Sequence, residues 1–201
     1  MFAYLEGVIA GKGLNELILD VSGIGWQISC SQNTVMKAPA NGQPFRVYTI
    51  LSVREDGVEL YGFSSPEEKA MFRRLTAVSG IGPKSAIGIL GSLSLKDLTR
   101  AILEGDVTAL SRAPGVGKKT AQRMALELKG KVTDEELKQI LGDEEAATIQ
   151  HTQASDTVTE VIEALQSLGY SAQEAKAALA RIPVRPEEAS ELLRLALKNM
   201  G

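Results

Sequence analysis

The sequence predicts a multidomain α+β chain, with an N-terminal β-barrel of OB-fold type, an all-α middle domain and a C-terminal three-helix bundle. Three observations carry that expectation. Apolar residues alternate with period two only in about the first sixty positions, the period turns helical at Ser64, and one helix–turn–helix unit occurs twice at an offset of 35 residues.

Residues 1–63 read as strands. Ile24, Trp26, Ile28 and Cys30 alternate with Gly25, Gln27 and Ser29, the mark of a half-buried strand. Leu17, Leu19 and Val21 do the same, as do Val47, Thr49, Leu51 and Val53. With Tyr4–Ile9 and Val58–Phe63 there are about five short strands, split by Gly11-Lys12-Gly13, Ser22-Gly23, Pro39-Ala40-Asn41-Gly42 and Glu55-Asp56-Gly57. Five strands in so short a stretch suit a small closed barrel.

Helical signals run from Ser64 to about Val132, within a middle domain of residues 64–142. Ser65-Pro66-Glu67-Glu68 sets a hydroxyl N-cap, Pro at N1 and Glu at N3, and Met71, Leu75 and Val78 follow as one apolar stripe. The next stretch, 143–155, opens on Asp143-Glu144-Glu145 and runs into a polar tract without apolar period, so a flexible linker is expected there. Residues 156–201 regain order. Val158, Val161, Ile162, Leu165 and Leu168 share a face, Gly169 ends that helix, Ser171-Ala172-Gln173-Glu174 caps a second, and Pro186-Glu187-Glu188 opens a third.

Composition narrows the chemistry. The 201 residues include one cysteine, Cys30, and one histidine, His151, so neither an internal disulfide nor a zinc site is expected. The N-terminus lacks a secretory pattern and no apolar run is long enough to span a bilayer, so a cytoplasmic, cofactor-free protein with no membrane partner is expected. The net charge of −3 hides a division: residues 64–132 hold 12 basic and 6 acidic groups, whereas residues 133–155 hold 1 and 6. Charge acts locally, within a Debye length, so the middle domain is a candidate polyanion binder inside an acidic protein.

The duplication shows how such binding would work. Leu75 with Gly80-Ile81-Gly82-Pro83-Lys84-Ser85-Ala86 recurs as Leu110 with Gly115-Val116-Gly117-Lys118-Lys119-Thr120-Ala121. Two glycines around one apolar residue permit a tight turn and remove side chains that would hold a ligand away. The amides of the turn and of the following helix's first turn, with the positive end of the helix dipole behind them, suit a phosphate oxygen. Ile81 and Val116 are expected to pin the turns to the core. Ser79, Gly80, Gly82, Lys84, Gly115, Gly117, Lys118, Lys119, Thr120 and Arg123 are therefore the candidate DNA-binding residues of a tandem helix-hairpin-helix, a motif that grips backbone and not bases. A nucleotide-binding P-loop does not fit, because Lys119 follows Gly117-Lys118 and Arg112 stands where the upstream glycine belongs.

Glu55-Asp56-Gly57 between two strands is a hairpin turn whose carboxylates would repel phosphates from a plain binding face. A structure-specific nuclease built on the same hairpins would need a metal cluster or nucleophile that the sequence does not supply. A single-strand binder would stack bases on Tyr4, Trp26, Phe45, Tyr48, Tyr61 and Phe63, most of which the barrel core needs.

Over its whole length the chain resembles the RuvA family, the Holliday-junction-binding subunit of the bacterial branch-migration machine. The resemblance rests on Val53-Arg54-Glu55-Asp56 with Leu60-Tyr61-Gly62-Phe63, on Gly80-Ile81-Gly82-Pro83-Lys84, on Pro114-Gly115-Val116-Gly117-Lys118-Lys119-Thr120-Ala121, and on Leu165, Leu168-Gly169-Tyr170. It implies an OB-fold domain (1–63), a tandem helix-hairpin-helix domain (64–142), a linker (143–155) and a UBA-like three-helix domain (156–201). It also implies a non-catalytic homotetramer, sometimes an octamer, that binds four-way junction DNA in recombination, DNA repair and the SOS response. The expected partners are the RuvB ATPase and the RuvC resolvase. Glu55 and Asp56 become an acidic pin at the strand-exchange point, and Leu165, Leu168, Tyr170 and Leu197 become candidates for the surface that docks the motor.

Overall fold

The computed structural model describes residues 2–55, 57–182 and 189–199, with side chains for all of these except 134, 144, 146 and 148–156. They form two compact units, residues 1–141 and 142–201. The first begins with strands β1 (Tyr4–Lys12), β2 (Glu16–Val21) and β3 (Ile24–Cys30). Helix α1 (Gln32–Lys37) follows, then β4 (Pro44–Arg54) and β5 (Gly57–Phe63). The strands close into a barrel in the order β1-β2-β3-β5-β4, antiparallel throughout except for the β3–β5 pair.

The period-two pattern sends Ile9, Leu17, Leu19, Ile28, Cys30, Val47 and Leu60 into the barrel. The alternation fades at the hairpin ends, where Ile24 and Val53 are exposed although they continue the inward series. Burial, with the Glu68 charge as a second cause, pushes the Cys30 thiol up to about 12, so it stays a neutral core group. No periodicity in the sequence marks helix α1. Its single cue is Ser31, whose hydroxyl caps it by accepting from the Thr34 amide.

Helices α2 (Pro66–Ala77), α3 (Pro83–Ser92), α4 (Leu95–Glu104), α5 (Val107–Leu110), α6 (Lys118–Leu128), continued by a short 3-10 turn (Lys129–Lys131), and α7 (Asp134–Leu141) complete the first unit. The elements change from strand to helix at Ser64, but the apolar core crosses that point. Phe72 of α2 packs on Phe63 and Tyr61 of β5, with ring centroids 4.9 and 5.2 Å apart. Arg74 of α2 holds Glu136 of α7 at 2.6 Å. Burial pushes the Glu136 carboxyl up, but the hydrogen bonds from Arg74 and Thr133 outweigh it and keep the group below the usual carboxylate value.

The second unit contains α8 (Asp143–Ser167), α9 (Ala172–Ala180) and α10 (Ala189–Lys198) around Val161, Leu165, Ala175, Leu179, Leu192 and Ala196. Gly169, with φ of +98°, ends α8, and Ser171 with Glu174 forms the expected capping box. The proposed start of the third helix at Pro186-Glu187-Glu188 lies outside the described residues. One expectation is corrected. Residues 143–155, expected to be a flexible linker with a short helix at best, are helical as the first half of α8. The tract lacks apolar period, yet no Gly or Pro interrupts it from Asp143 to Leu168, and its Ala, Glu and Gln residues favour helix on their own.

Candidate nucleic-acid interface

The two copies of the repeat match bond for bond. In the first, the Val78 carbonyl accepts from the Ile81 amide at 3.1 Å, and the Gly82 carbonyl accepts from Ala86 at 2.9 Å. In the second, Ala113 accepts from Val116 at 3.1 Å and Gly117 accepts from Ala121 at 2.9 Å. Gly80 and Gly115 take φ of +92° and +77°, the left-handed conformation that turns the chain between helices. Ile81 and Val116 are buried and anchor each elbow in the core, as the spacing predicts. Around them Ser79, Gly80, Gly82, Lys84, Gly115, Gly117, Lys118, Lys119 and Arg123 are exposed, and Thr120 is half-buried.

What sets α3 and α6 apart is how they begin. Helices α1, α2, α4, α5 and α9 start on Ser31, Ser65, Ser94, Asp106 and Ser171, each accepting a first-turn amide through its side chain. Helices α3 and α6 start on Gly82 and Gly117, which have no side chain to offer. Their first-turn amides are left to an outside acceptor. Helix α8 also starts on a glycine, Gly142, but Asp143-Glu144-Glu145 follow it, whereas lysines follow Gly82 and Gly117.

The glycines carry a second observation. At Gly82 and Gly117 φ is −85° and −80°, which any residue adopts, and an added Cβ would meet nothing within 4 Å. Neither backbone conformation nor internal packing requires glycine there. Glycine there would leave room for a close approach from outside the chain, as by a sugar–phosphate backbone seated on the elbow.

Arg123, exposed, also makes a contact that the sequence does not suggest. Its guanidinium donates to the Ser79 carbonyl at 3.2 Å, which ties α6 of the second copy to the elbow of the first. Both elbows are also anchored in one apolar core through Ile81 and Val116.

The β4–β5 ladder runs to the pair Arg54–Gly57, and Glu55 turns the chain just beyond it. Glu55 is exposed at that tip, beyond the exposed pair Val53 and Val58; Asp56 lies outside the described residues. Between this hairpin and the first elbow lies an open cleft of about 450 Å³ whose lining includes Arg54, Glu59, Lys84 and Ser85. Arg54 and Ser85 were not among the sequence candidates. Their position is a product of the fold, and the only local hint was a basic residue beside the acidic turn. Of the aromatic residues that a single-strand binder would use, Tyr61 and Phe63 are core, Trp26 packs edge-on against Phe2, and Tyr4 lies under Arg46.

In the C-terminal unit the four apolar candidates separate. Leu165 is fully buried, which corrects its assignment to a docking surface, because its side chain is spent on the unit's own small core. Leu168, Tyr170 and Leu197 are exposed by 60%, 38% and 36%.

Comparison with known proteins adds three domain matches. Residues 1–62 match the RuvA N terminal domain, residues 72–131 the SAM-like helix-hairpin-helix tandem, and residues 156–201 the RuvA C-terminal domain. The chain is 42% identical over 202 residues to the Holliday junction branch migration complex subunit RuvA of Chloroflexus aggregans, covering all of this chain and 99% of that one. The protein of the same name from a Marinomonas strain is 41% identical, covering all of this chain and 98% of its own. That of Neisseria meningitidis is 39% identical, with 100% and 99% covered.

Proposed function

The chain belongs to the RuvA family, and from that premise we propose that it binds four-way DNA junctions, holds them open and places a motor on them for branch migration. The observation that carries this reading is the pair of elbows. Each presents a glycine with no internal reason to be glycine, at the head of a helix without a side-chain cap, with lysine close behind.

The elbows supply affinity without sequence preference. Amides and the helix dipole hold phosphate oxygens, and Lys84, Lys118 and Lys119 add charge. Ser79 and Thr120 add hydroxyls beside them. Four copies around a four-fold axis would match four arms, and the symmetry would gather the Glu55 and Asp56 tips where strands exchange. There their carboxylates repel phosphates and direct the separated strands into neighbouring arms. Catalysis would then belong to a partner. In this reading a RuvB-type ATPase docks on the apolar surface around Leu168, Tyr170 and Leu197, residues 143–155 connect that unit to the DNA-binding one, and a RuvC-type resolvase acts on the held junction.

Titrating a four-way junction, linear duplex and single strand side by side, with and without a RuvB-type ATPase, tests the proposal. The junction is expected to bind tightest, and adding ATPase and ATP to move the branch point. Replacing Glu55 with Gln and Asp56 with Asn should leave junction binding intact or tighter and narrow the preference over duplex. Equal affinity of the wild-type protein for junction and duplex would contradict the reading, and an unchanged preference in the double variant would contradict the pin.

A further inference from the structure

The acidic turn and the elbows belong to different parts of the first unit, the turn to the barrel and the elbows to the helices. One element that contacts both parts is α1, the six-residue helix between β3 and β4. At its start sits Glu68 of α2, 4% exposed. The Glu68 carboxylate accepts from Ser31 Oγ at 2.7 Å and from Thr34 Oγ1 at 2.7 Å. It also accepts from the Ser64 amide at 2.9 Å and from Ser64 Oγ at 2.7 Å. A buried carboxylate can only accept, and four donors converge on this one.

The same helix also grips α3. The side-chain amide of Asn33 donates to the carbonyls of Leu90 and Leu93 at 2.6 and 2.9 Å, occupying acceptors that the end of α3 leaves open. The backbones approach closely here, since a Cβ on Gly91 would stand 3.2 Å from the Gln32 amide nitrogen. Thus α1 holds the start of α2 and the end of α3, the two helices that flank the first elbow, at their ends remote from it. The elbow and the β4–β5 hairpin face each other across the cleft that Arg54 and Lys84 help to line. The apolar contact of Phe72 with Tyr61 and Phe63 keeps barrel and helices together but tolerates small shifts, whereas hydrogen bonds of this kind are directional.

We propose that Glu68 and Asn33 are positioning residues for DNA selectivity. They fix the first elbow relative to the acidic turn, and so set the preference for branched over linear DNA without touching DNA themselves. The inference rests on the junction-binding reading above. A linear duplex engages the elbows alone and does not sense this spacing. A junction must satisfy elbow and turn together, and such a constellation works only when held to a fraction of an ångström.

The test measures affinity for a four-way junction and for a duplex of the same arm sequence, well below the melting temperature, in wild type, Asn33→Ala, Glu68→Gln and a control, Ile102→Val. The control trims the core of the same unit away from α1. Glu68→Gln turns an amide N–H toward the donors it now accepts from. In Asn33→Ala and Glu68→Gln the junction-over-duplex ratio should fall about tenfold, the scale on which one buried hydrogen bond changes an equilibrium. Duplex affinity should hold, and the control should keep the wild-type ratio. If Glu68→Gln does not fold, the half-buried Asn33→Ala decides. A folded Asn33→Ala protein with the wild-type ratio, or an equal fall in the control, overturns the inference alone. A wild-type protein without junction preference overturns the reading beneath it, and the inference with it.

Discussion

The four elbow glycines divide into two kinds that sequence alone treats as one. Gly80 and Gly115 stand at positive φ, where a Cβ meets its own backbone, so Gly115→Ala should cost about 1–2 kcal/mol. Gly82 and Gly117 stand at ordinary φ in open space and cap a helix. Serine caps at least as well as glycine, so Gly117→Ser should melt at or above the wild-type temperature. Paired thermal melts of the two variants check this contrast. A Gly117→Ser protein as destabilised as Gly115→Ala would mean that the second glycine serves the fold after all. The pattern Gly-apolar-Gly was legible in the sequence because it is local, and so was the inward turn of Ile81 and Val116. The contact of Arg123 was not, because its partner, the Ser79 carbonyl, is 44 residues away and no local pattern points to it.

The copies of the repeat are not equivalent as elements. Pro83 opens α3 and has no N–H, whereas Lys118 opens α6 with both an amide and an ammonium group. The second elbow therefore offers one more donor and one more charge. Lys118→Ala and Lys119→Ala should each weaken duplex binding more than Lys84→Ala, and each should reduce the slope of log affinity against log salt by about one. Anisotropy titrations at several salt concentrations measure both quantities. A larger loss from Lys84→Ala would reverse the assignment. Strands, elbows and capped helices were readable at this scale because their signals recur every two or four residues. Two elements were not. Helix α1 is shorter than two turns, and its cap residue Ser31 and its Thr34 spend their hydroxyls on Glu68, far along the chain. The first half of α8 is helical through propensity without an apolar face, so no periodicity announced it.

For the whole molecule, the net charge of −3 is the least informative number in the sequence, since basic groups outnumber acidic ones two to one in residues 64–132. Part of that excess, Lys84, Lys118, Lys119 and Arg123, stands exposed at the elbows, and an acidic hairpin lies across a cleft from the first of them. In the proposed reading one part attracts phosphate and the other repels it, an arrangement that suits DNA whose strands must part. The division into a barrel, helical repeats and a separate C-terminal unit was visible in the sequence. The spacing between turn and elbow was not, because contacts from α1 that are long-range in sequence set it. The most direct test of the central claim is a junction titration of the Gly82→Ser, Gly117→Ser double variant beside wild type. If the elbows hold phosphates through bare amides, the variant will fold and melt like wild type yet bind the junction at least about a hundredfold more weakly, about tenfold for each elbow. A variant that melts normally and binds like wild type would show that the elbows are only connectors.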